Sequence, residues 1–270
     1  MLRISLPSNA SMDYYPNNTA SNFTIKPSKP FEGTGFECAM SEIIFPNRFL
    51  NVRENANGII IYQKAEDGSY NWAARVHVPP GYYATIPELI EAMGKAGLDI
   101  YPKKNADGSR NKNIKLFVIT YNKTDGKVTV RTRSPWALKF ESDIARLLGF
   151  AVIHNSEMTR RFSAIIDGEQ KGEFHATPSG GLNAMYVYTD IIKEQFVGGE
   201  SAPLLRIINL NTNLNNGEYI SRTFERLYYA PLKSSHFDTI NIRIYDDMGE
   251  LVHFEYGKVV IILEFQKIAI

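Results

Sequence analysis

The chain has 270 residues, 44% hydrophobic and 22% charged, with 30 Lys plus Arg against 29 Asp plus Glu. That length allows a substantial core in one or two domains. The near balance of charge excludes a dedicated nucleic-acid binder or a polybasic membrane protein, and a single cysteine, Cys38, excludes an intramolecular disulfide framework.

From the N-terminus, residues 7–30 are rich in Ser, Asn and Pro, with Tyr14, Tyr15 and Phe23 among them. The composition suits an extended arm, taken as residues 1–21, or a loop at the rim of a core. A short strand is expected at 22–26. Residues 35–45 read as a strand, because Phe36, Cys38 and Met40 alternate with Glu37, Ala39 and Ser41. Cys38 falls on the apolar face and reads as a small buried thiol rather than a nucleophile.

Strands follow at 59–63 and 70–78. In the second, Tyr70, Trp72, Ala74, Val76 and Val78 are expected on one face. A helix is expected after Thr85. Thr85 is its N-cap, Pro87 sits in the first turn, Glu88 completes a capping box, and Ile86, Leu89, Ile90 and Met93 form one apolar stripe. Residues 101–113 read as a polar loop. Residues 114–121 and 127–133 read as a hairpin about Asp125-Gly126. Residues 142–149 read as a second short helix stopped by Gly149. Residues 151–181 carry few strand signals and are taken as a loop-rich insertion. Strands resume at 185–192, 204–210 and 219–226.

The closing third holds the clearest pair of strands. Ile240, Ile242 and Ile244 alternate with polar residues, whereas 258–266 is apolar on both faces at its start, as a strand inside a sandwich would be. Asp246-Asp247-Met248-Gly249-Glu250 between them has the residue types of a tight reversal. Six Asn-Gly or Asp-Gly dipeptides punctuate the chain. Short strands, frequent turns and two short helices indicate an all-β fold. A jelly-roll β-sandwich suits them: a single jelly roll over 1–270, with the arm at 1–21 and the insertion at 151–181.

The residues that carry chemistry are scattered. His77, His154, His175, His236 and His253 form no H-x-H or H-x-x-x-H pattern, and one cysteine builds no zinc knuckle. Glu173-Phe174-His175 places two metal-ligand types on one strand face, but no third lies nearby in sequence. Asp246, Asp247 and Glu250 lack calcium-loop spacing. No nucleophile elbow, P-loop or dinucleotide fingerprint occurs. Arg131-Thr132-Arg133 and Thr159-Arg160-Arg161 are weak nucleic-acid cues and read as solvated charge. The sequons at Asn9, Asn17, Asn22 and Asn122 read as chance in an Asn-rich chain with no signal peptide. No apolar run reaches the roughly 18 residues of a membrane span. The chain therefore reads as a non-enzyme made in a reducing compartment. No catalytic, cofactor or metal residue is assigned. Tyr82-Tyr83 and Tyr228-Tyr229, each beside proline or in a loop, suit a protein interface or the edge of their own domain equally.

Four stretches add a resemblance. They are 6–24 with Phe45-Pro46 (LPSNASMDYYPNNTASNFT…FP), Pro80-Gly81-Tyr82-Tyr83 with the following helix, 188–207 (YTDIIKEQFVGGESAPLLRI) and 237–265 (FDTINIRIYDDMGELVHFEYGKVVIILEF). In order and wording they resemble the minor capsid, or penton, protein of the Polinton/Maverick and adintovirus group, and more distantly virophage pentons. The region 101–181 is unmatched. The resemblance implies a jelly-roll virion protein forming homopentamers at icosahedral vertices, beside a double-jelly-roll major capsid protein. It implies synthesis in host cytoplasm or nucleus, no membrane span and no specific nucleic acid. It supplies no catalytic residues. A glycan- or host-receptor-binding jelly-roll module at the vertex is the competing reading. A cupin-like enzyme is disfavoured by the missing His-x-His pair.

Overall fold

The structure is a computed structural model, and it describes residues 2–98, 115–153, 161–179, 182–210 and 217–268. Two units divide the chain: Met1–Phe49 with Leu182–Ile270, and Leu50–Gly181 between them.

The first unit opens with β1 (Leu2–Pro7), β2 (Asn22–Ile25), the short β3 (Phe31–Glu32) and β4 (Phe36–Pro46). The second contains β5 (Gly58–Lys64), β6 (Tyr70–His77), α1 (Ile86–Lys95), β7 (Phe117–Asn122), β8 (Lys127–Thr132), β9 (Trp136–Phe140), α2 (Ser142–Leu148) and β10 (Glu169–Lys171). The chain then returns to the first unit with β11 (Ala184–Thr189), the hairpin β12 (Gln195–Val197) and β13 (Glu200–Ala202), and β14 (Leu204–Asn209). It ends with β15 (Tyr219–Thr223), β16 (Ala230–Pro231), β17 (His236–Phe237), β18 (Ile240–Tyr245) and β19 (Val260–Lys267).

In the first unit one sheet has the order β1-β19-β4-β15 and the other β14-β11-β18-β2. Counted along the chain, these strands run first–eighth–third–sixth and fifth–fourth–seventh–second. That is the strand order of a jelly roll, with every named pairing antiparallel. Alternation decides what lies between the sheets. Ile240, Ile242 and Ile244 of β18 and Ile261, Leu263 and Phe265 of β19 point into one core with Cys38, Met40, Ile43, Phe45, Met185 and Val187. The last two long strands are therefore not a hairpin, as their spacing in sequence suggests. They lie in opposite sheets, and the Asp246–Glu250 reversal folds the chain back on β18 through a Tyr245–Leu251 bridge.

The N-terminal arm expected at 1–21 is also replaced. Leu2–Pro7 is an edge strand of the sandwich, paired with β19 from Leu2↔Phe265 to Pro7↔Val260. Leu6 is fully buried. Its Leu-x-Ile-x-Leu alternation wins over the Ser/Pro-rich composition that follows. The loop after β1 is tied down by Asn18. Its side chain donates to the Ala10 and Thr24 carbonyls and accepts from the Thr24 N–H.

The second unit builds on two three-stranded sheets, β6-β5-β9 and β10-β8-β7. Ile59, Ile61, Leu138, Phe140, Val128 and Val130 form its core with Leu89 and Met93 of α1 and Ile144, Leu147 and Leu148 of α2. Both helices start where expected, and α2 also stops where expected. The Thr85 hydroxyl accepts from Glu88 N–H at 3.3 Å, and the Glu88 carboxylate accepts from Ala84 N–H at 3.0 Å. Gly149 closes α2 in the left-handed conformation. The expectation of one domain with a loop-rich insertion at 151–181 therefore changes. What lies between β4 and β11 is a unit with its own core, and 151–181 is its final part. No linker composition marks Leu50, because strands of the same pattern lie on both sides.

Candidate functional site

Among the described residues, several that could carry chemistry are tied into the fold. Cys38 is buried in β4, and burial pushes its thiol far above the ordinary range, so it stays a neutral core group. Asp246 accepts from the Met248 and Glu250 N–H groups at 2.9 Å each, and Asp247 accepts from those of Asn183 and Ala184. Glu173 accepts from Ala151 N–H, and His175 packs over Gly126. His77 lies 3.3 Å from Asn57, and His236 lies 3.8 Å from Glu32. His154, Thr159 and Arg160 fall outside the described residues. Among those described, no group of three or more His, Cys, Asp or Glu is arranged to hold a metal. No helix among them is long and apolar enough to cross a membrane. Arg131 is occupied by Glu169 at 2.8 Å.

The tyrosine pairs divide. Tyr83 donates its hydroxyl to the Pro79 carbonyl and its N–H to Asn51, so it packs within its own unit. Tyr229 turns inward and donates to the buried Glu264 carboxylate at 2.9 Å, while Arg3 approaches the other oxygen at 3.3 Å. Burial, then the hydrogen bond to Glu264, pushes the Tyr229 hydroxyl up to about 12. Tyr228 alone is left at the surface, 56% exposed. Its ring lies 4.6 Å from the Arg206 guanidinium, which also lies 3.9 Å from the Phe224 ring.

Two buried acids that sequence reasoning missed organise the second unit. Glu141 accepts from Gly58 N–H at 2.6 Å and from Arg75 at 2.5 Å. Asp143 receives a fork from Arg53 at 2.8 and 2.6 Å and a further bond from Arg146 at 2.5 Å. Both carboxylates are almost fully buried. Removing one partner of such a pair costs about 3–5 kcal/mol, because the other charge stays buried. The one signal in sequence was an acid just before and one just inside α2, which reads equally as ordinary helix capping.

What remains open to a partner is surface. In the first unit, β1 and β15 are the outer strands of one sheet and β14 and β2 those of the other. Leu2, Ile207 and Tyr219 stand exposed on three of them. Among the described residues the β12–β13 hairpin pairs only with itself, and it carries Phe196, 93% exposed, beside Gly198-Gly199. A single Phe before a Gly-Gly turn was the signal for it in the sequence. In the second unit Trp72, expected on one face with Ala74, Val76 and Val78, is 67% exposed on the outer strand β6. These exposed rings and edges are the candidate interaction surface.

No family model and no curated protein matches the chain. Among solved structures it is similar to the mavirus penton protein, at 14% identity and a TM-score of 0.45, over 99% of each chain.

Proposed function

We propose that this chain is a structural virion protein: a penton, or minor capsid, protein of the Polinton/Maverick–adintovirus type. In this reading it forms homopentamers at icosahedral vertices, next to a double-jelly-roll major capsid protein. It is made in the host cytoplasm or nucleus and catalyses no reaction. The observation that carries the reading is a single jelly roll with apolar side chains left open on different outer strands: Leu2 on β1, Ile207 on β14 and Tyr219 on β15. A closed ring is heterologous, so each copy must offer two different flanks to its neighbours. The wording of the sequence supports it further. The stretch 6–24 runs from β1 into β2, 188–207 runs from β11 through the Phe196 hairpin into β14, and 237–265 covers β18 and most of β19.

Mass measurement in solution tests it. A species of five 30.5-kDa chains is expected. Ile207→Asp, which puts a charge on an exposed edge position, is expected to shift the mass to the monomer without lowering the melting temperature. A chain that stays monomeric both alone and with its major capsid protein sinks the reading. The open Trp72 face of the second unit favours a second role, recognition of a host glycan or receptor at the vertex.

A further inference from the structure

The outer face of the β6-β5-β9 sheet carries aromatic rings in register. In the β5–β6 ladder Tyr62 stands opposite Trp72, and Lys64 opposite Tyr70, so these four side chains share one face. The Tyr62 and Tyr70 ring centroids are 6.3 Å apart. The sequence places Trp72 on the same face as Ala74 and Val76. A one-residue irregularity in the ladder between Ile61 and Tyr62 breaks that alternation, and Trp72 turns outward with Tyr62.

Among the described residues, the charges on this face are balanced except for one. Lys64 Nζ lies 2.7 Å from Asp167 Oδ2, and the Tyr70 hydroxyl donates to the same oxygen at 3.0 Å. Arg75 is matched by Glu141. Lys139, on the neighbouring β9, has its ammonium 5.5 Å from the Tyr62 ring centroid and 4.2 Å from that of Phe162. Among the described residues no carboxylate pairs with it. An ammonium held against aromatic faces is partly desolvated and keeps its charge available to an anion.

We propose that this face binds a pyranose saccharide bearing a carboxylate, such as a sialic or uronic acid residue. The apolar C–H face of the sugar lies on Trp72 and Tyr62, its hydroxyls meet the fixed Lys64–Asp167–Tyr70 network, and its carboxylate pairs with Lys139. Size and charge favour this occupant over a protein. A protein contact covers about 800 Å² per partner around an apolar centre. Among the described residues of this sheet Trp72 is the one strongly exposed ring, and the Lys64–Asp167 pair and Lys139 lie against the tyrosines of the same face. This deepens the recognition role and is independent of pentamer formation.

The test uses the full chain, titrated by NMR with 3′-sialyllactose, a hyaluronan tetrasaccharide and lactose. The first two probes distinguish sialic from uronic acid, and the third lacks the carboxylate. Saturable binding of at least one acidic probe is expected at a Kd of about 1 mM, about tenfold tighter than lactose. Trp72→Ala, at an exposed position, is expected to weaken all binding about tenfold or more with an unchanged melting temperature. Lys139→Gln is expected to erase the preference for the acidic probe and leave the lactose-like remainder. Three results overturn the proposal: no saturable shift with any probe, binding that survives Trp72→Ala, or an equal loss of acidic and neutral binding in Lys139→Gln. Oligomer mass is measured on the same samples. A fall in mass on Trp72→Ala, with no sugar bound by the parent chain, assigns the face to a contact between copies instead.

Discussion

Tyr229 shows how a residue that looks like interface chemistry can be fixed to its own core. Its hydroxyl is raised from an ordinary value of 10.0 to about 12 by burial and by the hydrogen bond to Glu264. Between those values the unfolded chain has lost the proton that the folded one keeps. The contribution of Tyr229 is thus complete below about pH 10 and is lost as pH rises through about 12. Tyr229→Phe removes a bond to a charged group and is expected to destabilise the first unit by about 1.5–3 kcal/mol at pH 8. Above pH 10 the gap between the two proteins should narrow, because the parent loses what the variant never had. Urea unfolding followed by circular dichroism from pH 8 to 12 measures both terms, and parallel curves across that range would refute the assignment. Residues whose partners are near in sequence were legible: Asp246 bonds within its own turn. Asp143 was not, because Arg53, its partner, lies 90 residues earlier. Pairs of that separation are set by tertiary packing and leave no periodic signal.

At the scale of elements, local rules carried furthest where caps and alternation agreed. Both helices and the β7–β8 hairpin lie where capping and turn residues put them. Which strands pair was beyond the alternation pattern. A period of two assigns a face to β18 and β19 but not a sheet, and they take opposite sheets. The α2 stop gives a sharp test of a local rule that was legible. Gly149 has φ 79°, and a Cβ there would sit 2.3 Å from the Phe174 carbonyl oxygen. Gly149→Ala is expected to cost about 1–2 kcal/mol from the left-handed backbone alone. Displacing the Phe174 carbonyl adds to that, since backbone cannot swing aside as a side chain can. Thermal unfolding should show a clear drop in melting temperature, with fastened hydrogen exchange at Phe174 and Ala176, which flank the crowded carbonyl. An unchanged melting temperature would mean that 172–176 relaxes freely and is not held by α2.

For the molecule as a whole, the hardest feature to read was that one domain interrupts another. Pro46-Asn47 ends β4 as any strand ends, and the polar, Asn-rich LNVRENANG that follows reads as an ordinary loop between two strands. Strand pairing is what separates the two bodies. Among the described residues, β5 to β10 pair only with one another, and their buried side chains form one cluster with the two helices. The jelly-roll strands form another. A segment of this size with its own core meets the physical requirement for folding alone. Residues 50–181 produced as an isolated chain are therefore expected to give dispersed amide resonances and one cooperative thermal transition, reported by both tryptophans, Trp72 and Trp136. Leu138→Ala, which opens a cavity in the centre of that cluster, should lower its stability by about 2–5 kcal/mol. In the full chain the same substitution should raise hydrogen exchange in β5 and β9 more than in β4 and β19, because the cavity lies in one core and not the other. If the isolated segment collapses without a cooperative transition, the second unit depends on the jelly roll to fold, and the two clusters make one cooperative body rather than two.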